Sequence, residues 1–124
     1  MTGAGVPRAL TAPERDVLVW MLRHGCRGEA VAPDRDAADR RRWLAQVDAV
    51  RVHGTCACGF CPTIDLGDDD GPVPAQGPRV VLEAGTDRFR LLLFVDDDRL
   101  SCLELAPVDD EAFPAFPPVA TLAT

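Results

Sequence analysis

The sequence predicts an α+β domain in which two N-terminal helices pack on an antiparallel sheet of four to five strands. Two observations carry this reading. Apolar residues recur at helical spacing as far as about Val47, and from Ala49 the period changes to two. Short Gly- and Asp-rich segments then separate successive apolar runs at hairpin spacing. At 124 residues the chain is one domain, 1–124, and a chain of this length buries roughly two-thirds of the surface its unfolded form exposes.

Residues 1–10 are expected to be flexible. Thr11-Ala12-Pro13-Glu14 then reads as a helix start, with Thr11 capping the free amides, Glu14 bonding back, and Pro13 tolerated in the first turn. Val17, Leu18, Met21 and Leu22 form one apolar stripe, Trp20 widens it, and Gly25 is a natural stop, so the first helix is expected over 12–24. The second helix is expected to start at an Asp34 or Asp36 cap and run to about Val47. Its apolar positions are Ala37, Ala38, Trp43, Leu44 and Val47, while Asp39, Arg40, Arg41 and Arg42 are expected to face water and pair with nearby acids.

Val50 and Val52 then alternate with Arg51 and His53, and Thr63–Leu66 is a second short strand. Residues 67–78 are a loop by composition. Arg79–Ala84, Phe89–Val95 and Leu100–Ala106 follow as consecutive strands, with Gly85-Thr86-Asp87 and Asp96-Asp97-Asp98 at the hairpin tips. The strand from Phe89 is apolar on both faces, which marks it as central. In the last strand Leu103 and Leu105 mark one face, with Leu100 and Cys102 on the other. Residues 107–124 hold Pro107, Pro114, Pro117 and Pro118, which cannot donate to a ladder, so an extended tail packed by Phe113 and Phe116 is expected.

All 13 basic residues are Arg; Lys, Asn and Tyr are absent, and Ile64 is the only Ile. The missing residues are those with A/T-rich codons, so arginine abundance reports gene composition rather than arginine chemistry. No run of 18 apolar residues exists, and Met1–Leu10 has no apolar signal region, so a cytoplasmic protein without membrane attachment is expected. Its thiols are then reduced, in keeping with an odd count of five Cys. The net charge of -7 divides unevenly: residues 1–62 hold nine Arg and seven acids, residues 63–124 four Arg and thirteen acids. The acidic second half argues against nucleic acid as a partner. It fits a soluble protein or one that meets a basic protein.

The one dense cluster of reactive residues is His53-Gly54-Thr55-Cys56-Ala57-Cys58-Gly59-Phe60-Cys61-Pro62. Thiolate and imidazole are preferred zinc ligands, and four make a closed tetrahedral site, so Cys56, Cys58, Cys61 and His53 are the candidate metal ligands. Thiolates also suit copper(I). Cys26 and Cys102 are spare donors if the fold brings them close. Two observations weigh on the other side. A second Cys hook from a separate segment is missing, and His53 falls on the polar phase of its strand. Cys58-x-x-Cys61 has redox spacing but continues into a strand rather than a helix. Small apolar fillers in a Gly-containing turn are the plainest reading of the three Cys.

Other signals lead nowhere chemical. In calcium-loop register, Gly71 at the sixth position puts Leu66 at the first and Gly77 at the twelfth, where carboxylates are required. Ser101 is the only Ser and lies in an expected strand, so a serine triad is excluded. No Gly-rich phosphate loop follows a strand. Glu104, between Leu103 and Leu105, reads equally as a buried or groove-lining carboxylate and as an acid on a wet sheet face.

Two stretches carry a resemblance: Val52-His53-Gly54-Thr55-Cys56-Ala57-Cys58-Gly59-Phe60-Cys61-Pro62-Thr63-Ile64, and Asp98-Arg99-Leu100-Ser101-Cys102-Leu103-Glu104-Leu105 with Pro114 and Pro117 after it. They resemble small bacterial proteins of unknown function, and the hairpin also resembles immunity-type proteins. The resemblance implies a helix-plus-sheet fold and brings no catalytic residues or cofactor. The reading that follows is a non-catalytic interaction module whose acidic sheet half meets a basic protein. The alternatives are a Cys-cluster metal protein, for zinc or copper, and a thiol redox sensor.

Overall fold

The first helix starts where Thr11 predicts it. In the computed structural model, which describes residues 7–56, 58 and 61–122, α1 spans Ala12–His24 and carries the complete capping box. The Glu14 amide donates to Thr11 Oγ1 at 3.3 Å, and the Thr11 amide to Glu14 Oε1 at 2.8 Å. Val17, Leu18, Met21 and Leu22 are fully buried. Just before the helix, in the stretch expected to be flexible, Arg8 bridges Val52 through both backbone groups.

After a two-residue strand β1, Cys26–Arg27, the second helix α2 spans Pro33–Leu44. Its N-cap is Ala32, which has no capping side chain, rather than Asp34 or Asp36. Pro33 pre-sets the first helical φ, and the two acids lie inside the first turn, where they face the positive end of the helix dipole. The helix stops at Leu44, and a 3-10 turn, Val47–Ala49, carries Val47 into the core.

The acid–arginine run pairs with nearby acids as expected, and Arg41 and Arg42 are exposed, but Asp39 and Arg40 are drawn out of water into a seam. Asp39 is buried and accepts from Arg27 at 2.9 Å and from Arg42 at 2.8 Å. Arg27 also reaches Asp36 and lies 5.3 Å over the Trp43 ring. Arg40 donates to the carbonyls of Leu22 and Gly25, capping the C-terminal end of α1, while Arg41 stays exposed. A guanidinium carries five donors and can satisfy several acceptors that packing leaves without water.

The remaining strands are β2 Arg51–Thr55, β3 Ile64–Asp68, β4 Gly71–Pro72, β5 Arg79–Gly85, β6 Phe89–Asp96 and β7 Arg99–Pro107. They form one antiparallel sheet in the order β1-β5-β6-β7-β3-β2, with β4 pairing β3. The sheet has seven strands rather than four to five, because β1 and β4 are too short to show a period. The β3–β4 turn requires Gly67: a Cβ there would lie 2.1 Å from the Gly71 carbonyl oxygen. Among the described residues no helix is long and apolar enough to cross a membrane.

One buried row crosses four strands, Leu82↔Leu93↔Leu103↔Ile64, and the helices cover that face. The expected central strand is β6. Phe113 packs edge-on to Phe89 at 5.3 Å and Phe116 is buried, as expected, but the tail is not extended throughout: β7 runs on to Pro107, and Val119–Leu122 form a 3-10 turn that buries Leu122.

In β7 the expected alternation breaks. The register passes from Phe94↔Cys102 to Val95↔Leu100, leaving Ser101 as an extra residue. The slip turns Leu100 to the core face with Leu103 and Leu105, while Cys102 stays on the open face. Ser101 is buried beside Asp96, to which its hydroxyl donates at 2.6 Å. Asp96 is thus a buried end of β6, 1% exposed, and not part of a solvated tip. Arg79 grips it with two hydrogen bonds of 2.7 and 3.0 Å.

The true tip is Asp97-Asp98, with φ of 50° and 66° as a tight β-hairpin demands. Asp98 accepts from the Trp43 indole at 2.7 Å and from Arg42, which locks the hairpin to α2. Asp98→Gly keeps the backbone conformation but leaves the buried indole N–H without its acceptor. Urea unfolding is expected to show a loss of about 1–3 kcal/mol. The loss shrinks in a Trp43→Phe background, and equal losses in both backgrounds would disprove the clasp.

Among the acids held below the usual carboxylate range are Asp39, held by Arg42 and Arg27, Asp96, by Arg79 and Ser101, and Asp98, by Arg42 and Trp43. A carboxylate whose pKa is depressed on folding contributes stability that is full above its unfolded pKa, near ~4, and is lost as the pH falls through the folded value. The urea midpoint is expected to hold through neutral pH and drop in acid below that value. Asp96→Asn should flatten part of the drop, and an unchanged acid limb would count against the Asp96 contribution.

Candidate metal centre

The sheet positions the cysteine segment from both sides. β2 and β3 pair up to Thr55↔Ile64, and the Cys56 amide extends the ladder by donating to the Thr63 carbonyl at 3.1 Å. Thr63 is fixed in turn from β7: its Oγ1 accepts from the Leu105 amide at 3.1 Å. The chain therefore leaves the sheet at Cys56 and rejoins it at Thr63, with both ends anchored by hydrogen bonds.

In this stretch the three sulfurs converge. Cys56 Sγ lies 3.0 Å from Cys58 Sγ, which lies 3.4 Å from Cys61 Sγ, and all three fall within 4.8 Å of one another. Sulfurs bound tetrahedrally at about 2.3 Å from zinc stand roughly 3.8 Å apart, so the Cys56–Cys58 and Cys58–Cys61 spacings would each have to widen to admit an ion. The three thiols thus stand close enough to hold a metal ion, and none of the five Cys is disulfide-bonded. Cys58 is exposed and its two neighbours half-buried.

His53 is not brought into this group. It is the extra residue of a bulge in β2, between the pairs Val52↔Leu66 and Gly54↔Asp65, and its Nε2 meets the Asp68 carbonyl. The spare cysteines also stay apart. Cys26 lies on β1, at the opposite edge of the sheet from β2. Cys102 pairs with Asp65 on the open face, where burial and then the Asp65 and Glu104 charges push its thiol up to about 12.

The trio adjoins a cleft of about 470 Å³ that sequence reasoning missed. Cys56 and Cys61 form part of its wall with Ile64, Phe113, Phe116 and the start of α1. Its polar edge is an ion pair, with Arg8 donating to both Glu14 oxygens at 2.8 and 2.9 Å. The contributors lie in four separate stretches of chain, so no local pattern announces the cleft.

Ion pairs tie the two halves together without evening out their charge, since most of the arginines that the second half's acids hold are its own. Acids of the second half pair with arginines of both: Asp98 with Arg42, Asp96 with Arg79, Asp68 with Arg99, Glu83 with Arg90 and Glu111 with Arg88. Compared with protein-family models, curated proteins and solved structures, the chain matches none.

The Cys56 thiol is pushed up to about 11, first because it donates to Cys58 and then through Cys61, since ionisation forfeits the bond and brings like charges together. Mass-resolved iodoacetamide labelling of the metal-free protein is expected to modify Cys56 slowly at neutral pH and faster only above about pH 10. Rapid labelling at pH 7 would contradict this.

Proposed function

We propose that this protein binds a thiophilic metal ion, zinc or copper(I), through Cys56, Cys58 and Cys61. The convergence of the three sulfurs within 4.8 Å carries the reading. Three soft donors on one short, sheet-anchored segment make a ready chelate, and a metal displaces the protons that otherwise keep the thiols neutral. The role is metal binding, and no catalytic step is assigned.

A thiol–disulfide role has the short sulfur–sulfur distances in its favour. Its weakness is the raised Cys56 thiol, because the attacking species is the thiolate. Docking of a basic protein on the acidic half draws support from Asp65 and Glu104, which form no ion pair among the described residues, but several other acids already hold arginines within the chain.

Protein purified without a His tag is expected to carry about one equivalent of zinc or copper by elemental analysis. Cys58→Ser should weaken binding at least about tenfold. Bound metal should raise the thermal midpoint, by roughly 4 °C or more per kcal/mol of linkage. Less than about a tenth of an equivalent, after reconstitution under reducing conditions, would sink the reading.

A further inference from the structure

We infer that a metal held by Cys56, Cys58 and Cys61 keeps its fourth coordination position open to the adjoining cleft, and that a small thiol is the ligand that fills it. The inference rests on the metal reading above and goes beyond it in naming the ligand.

The donor count comes first. Among the described residues the group holds three sulfurs and no further Cys, His, Asp or Glu. Ala57, Gly59 and Phe60 of the same segment have no side-chain donor by their chemistry. Zinc takes four ligands, and a site with three protein ligands leaves the fourth to a non-protein donor.

Location is the second, independent observation. Two of the three ligand residues help to wall the 470 Å³ cleft. That volume lies within the roughly 300–1,000 Å³ typical of small-molecule sites.

The walls select the ligand class. Pro13, Ile64, Phe113 and Phe116 present an apolar lining, which favours a compact apolar body. Glu14 is engaged elsewhere and is not among the grouped ligands: Oε1 accepts from Arg8 and Thr11, and Oε2 from Arg8. A metal already in a thiolate set prefers a further soft donor. A small thiol meets both demands. Its S–H proton passes to solvent as the metal–sulfur bond forms, so the step involves no electron transfer.

The test uses the full chain loaded with Co(II) and titrated with benzenethiol under anaerobic conditions. The readout is the sulfur-to-cobalt charge-transfer absorption, with cobalt retention checked by gel filtration. Absorption is expected to rise saturably by roughly one-third as three thiolates become four. Ala115→Trp, at an exposed position on the cleft wall, should bind Co(II) as tightly and raise the half-saturating benzenethiol concentration at least about tenfold. Thr55→Trp, on another exposed part of the wall, replaces it if circular dichroism shows Ala115→Trp to be misfolded.

An unchanged spectrum with cobalt bound, loss of cobalt to the thiol, or a blocked variant that responds at the same concentration would each overturn the inference. A chain that takes up no cobalt fails before any thiol is added, and the metal reading then falls with it.

Discussion

The extra residue in β7 at Ser101 is the constraint on which the rest of the architecture turns. β6 ends in Asp96, a carboxylate almost wholly removed from water, and such a group is tolerated only if its oxygens are satisfied. Arg79 supplies two donors from β5 and Ser101 a third from β7. To present its hydroxyl there, β7 bulges, and the bulge re-phases everything before it. Leu100 joins the core row, and its amide finds the Gln46 side chain at 3.2 Å. Asp98 arrives at Trp43 and Arg42. Beyond the bulge, Leu103 keeps register with Ile64 and the Leu105 amide holds Thr63. The pairing that closes the hairpin at one end thus positions the cysteine segment at the other.

Arginine illustrates how composition and role part company. Its abundance follows from codon usage, yet several arginines are placed where no other residue type would serve as well. Arg27 spans Asp36 and Asp39 while lying over an indole, and Arg40 closes the end of α1. These contacts draw acids and arginines together across the chain, and Arg42 and Arg51 reach over to acids of the second half. The acids that matter for stability are those that packing desolvates.

The candidate site was legible in part. Three cysteines within six residues cannot stray far from one another, so their proximity was already implied by Cys56-x-Cys58-x-x-Cys61. His53 looked equally close in sequence, but a bulge in β2 carries it to the Asp68 carbonyl. The cleft had no local signature. Arg8, Glu14, Cys56, Cys61 and Phe116 meet only because β2 receives the bridge from Arg8 and the tail folds back over the sheet, with Phe113 against Phe89.

The sequence by itself determined whatever depends on spacing along the chain. The capping box of α1, its apolar stripe, the central strand β6, the presence of the two late hairpins and the crowding of thiols are all written in neighbouring residues, because helix and strand periods and turn chemistry act over a few positions. The tertiary structure decided the rest: the bulges at His53 and Ser101, the burial of Asp39 and Asp96, the two short edge strands, and which side of the sheet Leu100 and Cys102 occupy. These depend on which partners become available once water is excluded, and a desolvated carboxylate or guanidinium finds its partners across the fold rather than along the chain.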